Sequence, residues 1–214
     1  VKLALDHGVV VAVAIDAAVE VEVDNVDAEH ALMAARSPSR RGEWLAGRRA
    51  LRAALREAGL AVPSGAIDAD DRGAPRLPAG AVGSISHKPD YAIAIAAAAT
   101  GQALGIDLER RGPRRIDVSR RVLTPAELAA LVARAPSTGD RDDAVVRAFA
   151  IKEAIYKAID PFLRRYVGFQ EVAVWPAADG TARVEPLVDW GLVVEATWLA
   201  TDEHWIATAS ARRR

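Results

Sequence analysis

A chain of 214 residues, 51% hydrophobic and 27% charged, has an ordinary globular composition and can bury one large core or two small ones, which excludes disorder and a fibrous repeat. Its 28 basic and 29 acidic residues leave a net charge of −1, and no apolar run reaches the roughly 18–20 residues of a membrane helix. With no cysteine, disulfides, a thiolate nucleophile and cysteine-ligated zinc are excluded, and a cytoplasmic protein is expected.

Val9 to Ile15 is a β-branched run that reads as a buried strand; with only Lys2 before it and Asp6 and Asp16 around it, it does not resemble a signal peptide. Val19, Val21 and Val23 alternate with Glu20 and Glu22 as in a half-exposed strand. Residues 1–35 carry seven acids against Lys2, and residues 36–56 carry seven arginines against Glu43. Such a basic block is either a solvated face or an anion site. Ser39 can cap a helix from Arg40 to Ala58, where Trp44, Leu45, Leu51 and Leu55 recur near helical spacing and Gly59 ends the run. Pro63 to Gly80 reads as loop, with a short strand at Ala66 to Ala69. Strands follow at Val82–Ser86 and Tyr91–Ala98, and the turn Thr100-Gly101-Gln102 is the expected boundary between residues 1–101 and 102–214.

The second half opens with a strand over Ala103–Glu109. Thr124-Pro125-Ala126-Glu127 has the capping residue, first-turn proline and third-position glutamate of a helix start, running to Arg134. Asp140 to Ile159 is the longest helical stretch, opened by Asp140, Asp142 and Asp143 and closed by Asp160-Pro161. The tail reads as strands at Phe169–Trp175, Thr181–Leu187, Leu192–Leu199 and Trp205–Ser210. Each half offers about three strands and one long helix, an α/β (α+β) arrangement.

Within Gly105-Ile106-Asp107-Leu108-Glu109, strand alternation puts Leu104, Ile106 and Leu108 on one face and Asp107 with Glu109 on the other. Two such carboxylates can ligate a hard cation such as Mg²⁺; an isolated Asp-x-Glu is also a common solvent-facing edge. Gly105 suits a close backbone or ligand approach. Glu153 and Lys157 share a helix face, either as a surface pair or as a third carboxylate and a phosphate-neutralising ammonium. The chain has 24 arginines and only Lys2, Lys88, Lys152 and Lys157, so two lysines within six residues point to a required compact ammonium. His87, after Ser84 and Ser86, can donate to a phosphate or be a partly buried turn histidine; His7, His30 and His204 have no such neighbours in sequence. Arg48 and Arg52, one turn apart, form a phosphate clamp if covered and a solvated face otherwise. Arg110, Arg111, Arg114, Arg115, Arg120 and Arg121 face only Asp117; without interleaved aromatics they suit an acidic protein better than nucleic acid.

Together these segments resemble a 4′-phosphopantetheinyl transferase of the surfactin-synthetase-activating type, nearest its enterobactin branch: Gly-Ser-Ile-Ser-His at 83–87, Gly-Ile-Asp-Leu-Glu at 105–109, Phe-Ala-Ile-Lys-Glu-Ala-Ile-Tyr-Lys-Ala at 149–158, Gly-Phe at 168–169, and Gly47-Arg48 with Arg52. The resemblance spans roughly residues 40–175. It implies two similar α/β halves with pseudo-twofold symmetry, each a mostly antiparallel sheet on a long helix, with the site between them. It implies Mg²⁺-dependent transfer, Mn²⁺ being an alternative, of the phosphopantetheine arm of coenzyme A to a serine of an apo acyl or peptidyl carrier protein, releasing 3′,5′-ADP. By matching positions, Asp107, Glu109 and Glu153 hold the metal, Glu153 is also a candidate base, and Lys157 assists the leaving phosphate. Ser86 and His87 bind phosphate oxygens; Arg48 and Arg52, with Arg76, grip the 3′-phosphate. The acidic carrier is expected near Arg110–Arg121, and the protein to be a monomer without nucleic-acid or membrane partners. Leu77, Phe149, Ala150 and Lys88 depart from the branch's usual residues, which bears on substrate details. Two other readings are an inactive carrier-binding relative, which would lose a metal ligand, and a metal-dependent nuclease, which would show Glu-x-Lys spacing and a basic chain.

Overall fold

The computed structural model describes residues 2–15, 38–112, 116–134 and 137–214. The first half holds β1 (Lys2–Leu5), β2 (Gly8–Ala14), α1 (Pro38–Glu57), β3 (Ala81–His87) and β4 (Tyr91–Ala98), with an antiparallel sheet in the order β1-β2-β4-β3. The second holds β5 (Gln102–Arg110), α2 (Ser119–Val122), α3 (Pro125–Arg134), α4 (Thr138–Leu163), a 3₁₀ turn (Phe169–Glu171), β6 (Val172–Pro176), β7 (Thr181–Pro186), β8 (Leu192–Ala200) and β9 (His204–Arg213). Its sheet is antiparallel in the order β5-β9-β8-β7-β6. In each half a strand leads to a long helix, and the last strand of the returning meander pairs with that first one: β4 on β2, β9 on β5. That shared path makes the halves alike, but their sheets hold four and five strands, not the three or so expected for each.

Residue alternation builds the layers. Val11, Ala94 and Ala96 face Leu51 and Leu55 of α1, while Val10, Ile93 and Ile95 face Leu104, Ile106 and Leu108 of β5 and Ile206 of β9. The two sheets therefore pack through these apolar faces, with α1 and α4 outside them. A one-residue slip of β5 would turn Asp107 and Glu109 into this core, so burial fixes the register.

The helix ends correct three expectations. Helix α1 begins at Pro38, whose fixed φ and missing N–H suit a first turn. Helix α4 begins at Thr138, since the Ser137 side chain accepts from the Asp140 N–H, and it runs past Pro161 to Leu163. Proline there removes one helical hydrogen bond without stopping the last turn, which ends on Arg164 at φ 48° with its N–H bonded to Asp160 O. The short strand expected at 66–69 reduces to one bridge, Ala69 with Pro75, and Val19–Val23 lies outside the described residues. Among the described residues no helix is long and apolar enough to cross a membrane.

Candidate active site

Gly105 positions the site. A Cβ there would lie 1.8 Å from Ala154 O and 2.8 Å from Ala158 N, so strand β5 and helix α4 touch backbone to backbone. Alternation puts Asp107 and Glu109 on the same face as Gly105, toward α4, where Glu153 and Lys157 bracket the contact. Asp107 and Glu109 are only 5% and 4% exposed, which overturns the solvent-facing-edge reading.

Lys157 does not form a surface pair with Glu153. Its Nζ donates to Asp107 Oδ1 and to Ile106 O, both at 2.8 Å, and to Ile85 O at 3.4 Å, bridging the edge strands β3 and β5. From the first half, Ser86 Oγ donates to Asp107 Oδ1 at 2.8 Å and Lys88 Nζ to Glu109 Oε1 at 2.7 Å. His87 Nδ1 stands 3.2 Å from Glu43 Oε2 of α1. Four carboxylates and three basic groups thus meet where the halves join.

Burial raises the pKa of Glu153 above the ordinary carboxylate range; Asp107 and Glu109 push it further, while Lys157 and Lys88 oppose them. For His87, burial lowers the pKa, and Lys157, Lys88 and Arg40 add to this against Glu43, so its imidazole is neutral near pH 7. Asp107 Oδ2 is buried without a hydrogen bond. A buried bare carboxylate oxygen with two further acids near it is the donor chemistry a hard divalent cation takes, although the oxygens of Asp107, Glu109 and Glu153 do not all lie within 4.8 Å of one another here.

Arg48 and Arg52 are 6% and 4% exposed, so the solvated-face alternative does not hold. Arg48 Nε donates to Ile67 O at 3.0 Å, and Arg52 donates to Pro63 O at 2.5 Å and Gly65 O at 2.8 Å, tying the 63–67 segment to α1. Arg76, exposed in the same loop, donates from Nε to Ala69 O at 3.3 Å. Within the arginine-rich segment, Arg110 pairs with Asp90 at 3.2 Å and Arg111 with Asp143 at 3.3 Å, while Arg114 and Arg115 lie outside the described residues. Beside Glu153 opens a cavity of about 490 Å³, walled by Val122, Val146, Phe149, Tyr156 and Phe169, with Arg121 among its lining residues.

The sequence reading missed one buried element. Lys152 is 0% exposed, and its Nζ donates to Val122 O and Glu127 Oε2 at 2.8 Å and Phe169 O at 3.0 Å. Glu127 does serve the predicted capping box, accepting from the Thr124 N–H at 2.6 Å, but it also accepts from the Val174 N–H at 2.8 Å. It locks α3, α4 and β6 together. The available signal was Lys152 beside Ile151 and one turn before Ile155, a position an amphipathic helix buries.

Comparison with known proteins matches residues 28–97 to the family described as 4′-phosphopantetheinyl transferase N-terminal domain, and residues 103–209 to the 4′-phosphopantetheinyl transferase superfamily. The chain is 36% identical over 197 residues to the 4′-phosphopantetheinyl transferase Svp of Streptomyces mobaraensis, covering 86% of this chain and 76% of that protein. It is 34% identical over 157 residues to the 4′-phosphopantetheinyl transferase Npt of Nocardia iowensis, covering 72% and 68%. Among solved structures, the Chronobacterium ammoniagenes ACPS–CoA complex aligns with 53% of this chain and 98% of its own, at 18% identity and a TM-score of 0.41.

Proposed function

The chain belongs to the 4′-phosphopantetheinyl transferase superfamily and transfers a phosphopantetheine arm to carrier proteins, and from that premise we propose how its own residues carry the reaction. The observation that supports the reading most is the convergence of Asp107, Glu109, Glu153 and Lys157 on the Gly105 contact, with a buried unpaired oxygen on Asp107. We assign the chain to the surfactin-synthetase-activating type, with residues 1–101 supplying the 3′-phosphate side and residues 102–214 the metal side. Coenzyme A is the donor. A serine hydroxyl of the apo carrier attacks the phosphorus that bears pantetheine, the bond to the second phosphate breaks, and 3′,5′-ADP leaves.

Glu153, whose pKa is raised by burial and by its acidic neighbours, accepts the serine proton more readily than an ordinary surface glutamate. Lys157 already spans the edges of both halves and turns its ammonium to the phosphate whose charge grows as the bond breaks. Ser86 and neutral His87 donate to phosphate oxygens, and Arg48, Arg52 and Arg76 take the 3′-phosphate at the loop they now hold. Asp107, Glu109 and Glu153 would hold Mg²⁺, which supplies Lewis-acid stabilisation of the pyrophosphate oxygens when bound. The cavity beside Glu153 offers the arm an apolar wall. An acidic carrier approaches the Arg110–Arg121 rim. Both halves of one chain supply the cleft, so a monomer suffices.

The test mixes the protein with coenzyme A, Mg²⁺ and apo carriers from fatty acid, polyketide and peptide synthesis, and reads carrier mass. A gain of one phosphopantetheine, lost on chelation and lowered more than about 100-fold in Asp107→Ala with the fold intact, is expected. Activity above a tenth of wild type in that variant would remove Asp107 from the metal site.

A further inference from the structure

The turn before β4 in the first half meets the β8–β9 turn of the second. There Asp90, Glu203 and His204 each present a ligand atom, all within 4.8 Å of one another. His204 is 5% exposed, and its ring lies edge-on to Tyr91 with centroids 5.5 Å apart, which fixes the imidazole plane. The turn itself is held: the His204 N–H donates to Thr201 Oγ1 at 2.9 Å and the Arg111 N–H to Glu203 O at 2.8 Å.

His204 Nε2 stands 3.3 Å from Asp90 Oδ2, yet the two are not aligned for a hydrogen bond, and both atoms are buried without one. Buried polar atoms are nearly always satisfied, and while Asp90 Oδ2 has the Arg110 guanidinium beside it, His204 Nε2 has no hydrogen-bond partner and points to a missing one. Two ligands on one tetrahedral ion, with bonds of about 2.0–2.2 Å, stand about 3.3–3.6 Å apart. The observed 3.3 Å lies at the lower end of that range.

We propose that Asp90, Glu203 and His204 form a second cation site, for a divalent transition ion of the zinc class, with water completing the shell. Imidazole selects that class, whereas Mg²⁺ takes oxygen donors, so the two sites sort their ions by ligand chemistry. One ligand comes from the first half and two from the second, so the ion staples the halves at one end of their contact. The exposed Glu203 provides the entry side. Arg110, with its Nη2 3.2 Å from Asp90 Oδ2 and its side chain 66% exposed, neutralises the carboxylate meanwhile and is free to swing into solvent when the ion enters.

The test is equilibrium dialysis of the whole chain against Zn²⁺ with Mg²⁺ in excess, bound metal being counted by atomic emission, alongside thermal melting. Wild type should retain one equivalent more than His204→Gln, and Zn²⁺ should raise the Tm of wild type but not of that variant. Glu203→Gln, altered at an exposed side chain that folding does not need, should lose affinity at least about tenfold, two of three protein ligands remaining. Arg110→Gln should bind several-fold more tightly, because the competing guanidinium is gone. His87→Gln, whose imidazole also faces a carboxylate, should keep the equivalent. The proposal fails if wild type retains no such equivalent, or if Glu203→Gln and a folded His204→Gln bind Zn²⁺ as wild type does.

Discussion

Replacing Gly105 by alanine adds one methyl group at the point where β5 and α4 touch. Its Cβ would sit 1.8 Å from Ala154 O, 2.8 Å from Ala158 N and 2.9 Å from Ala154 C, and real Cβ contacts do not fall below 3.0 Å. All three atoms are backbone, so no side chain can turn aside, and strand and helix must part by more than about 1 Å. Asp107 and Glu109 move with one element, Glu153 and Lys157 with the other. The 2.8 Å bond from Lys157 to Asp107 then opens beyond hydrogen-bond range. Overpacking of this kind costs about 1–3 kcal/mol, and a misplacement of about 1 Å at reacting groups costs about 100-fold in rate. Urea unfolding should give the first figure, and single-turnover transfer to a carrier the second. Gly42→Ala is the control: its Cβ meets only Ile15 Cγ2 at 3.8 Å, and alanine in a helix should stabilise by about 0.5–1 kcal/mol. A Gly105→Ala protein with wild-type stability and more than a third of wild-type rate would refute the claim that this contact aligns the site.

Glu153→Gln should melt higher than wild type in Mg²⁺-free buffer at about pH 8 and match it near pH 4, because an acid with a raised folded pKa gives up its stabilisation as pH rises through that value. A Tm difference independent of pH would place the effect elsewhere. Lys152→Met leaves Glu127 buried without its cation and should lose about 3–5 kcal/mol in denaturant unfolding, partly restored by adding Glu127→Gln. An equal loss in single and double variants would deny the pairing. For Arg48→Ala, kinetics with coenzyme A and its 3′-dephospho form should show weakened discrimination between them; discrimination as strong as in wild type would put the 3′-phosphate on other residues.

The sequence alone determined most of the elements and the chemistry carried within each, but not strand β1, helix α2 or the ends of α1 and α4. Alternation in β5 separates Leu104, Ile106 and Leu108 from Asp107 and Glu109, and Thr124 with Glu127 marks the start of α3; both are local patterns, set by backbone period and capping geometry. The candidate site residues were legible because the segments that hold them, each on one strand or one helix, resemble the family's motifs. Partners across elements were not. Lys88 read as a departure and is the cation on Glu109; Glu43 read only as the acid opposing a basic block and faces His87; His204 read as isolated and lies 3.3 Å from Asp90. Arg48 and Arg52 read as a possible clamp and are buried against loop carbonyls. Each of these pairings joins residues far apart in the chain, and their distances follow from how two sheets and two helices pack. A side chain's local pattern states which face it occupies. Only the packed structure, by closing β5 onto α4 over a bare glycine, decides what stands opposite.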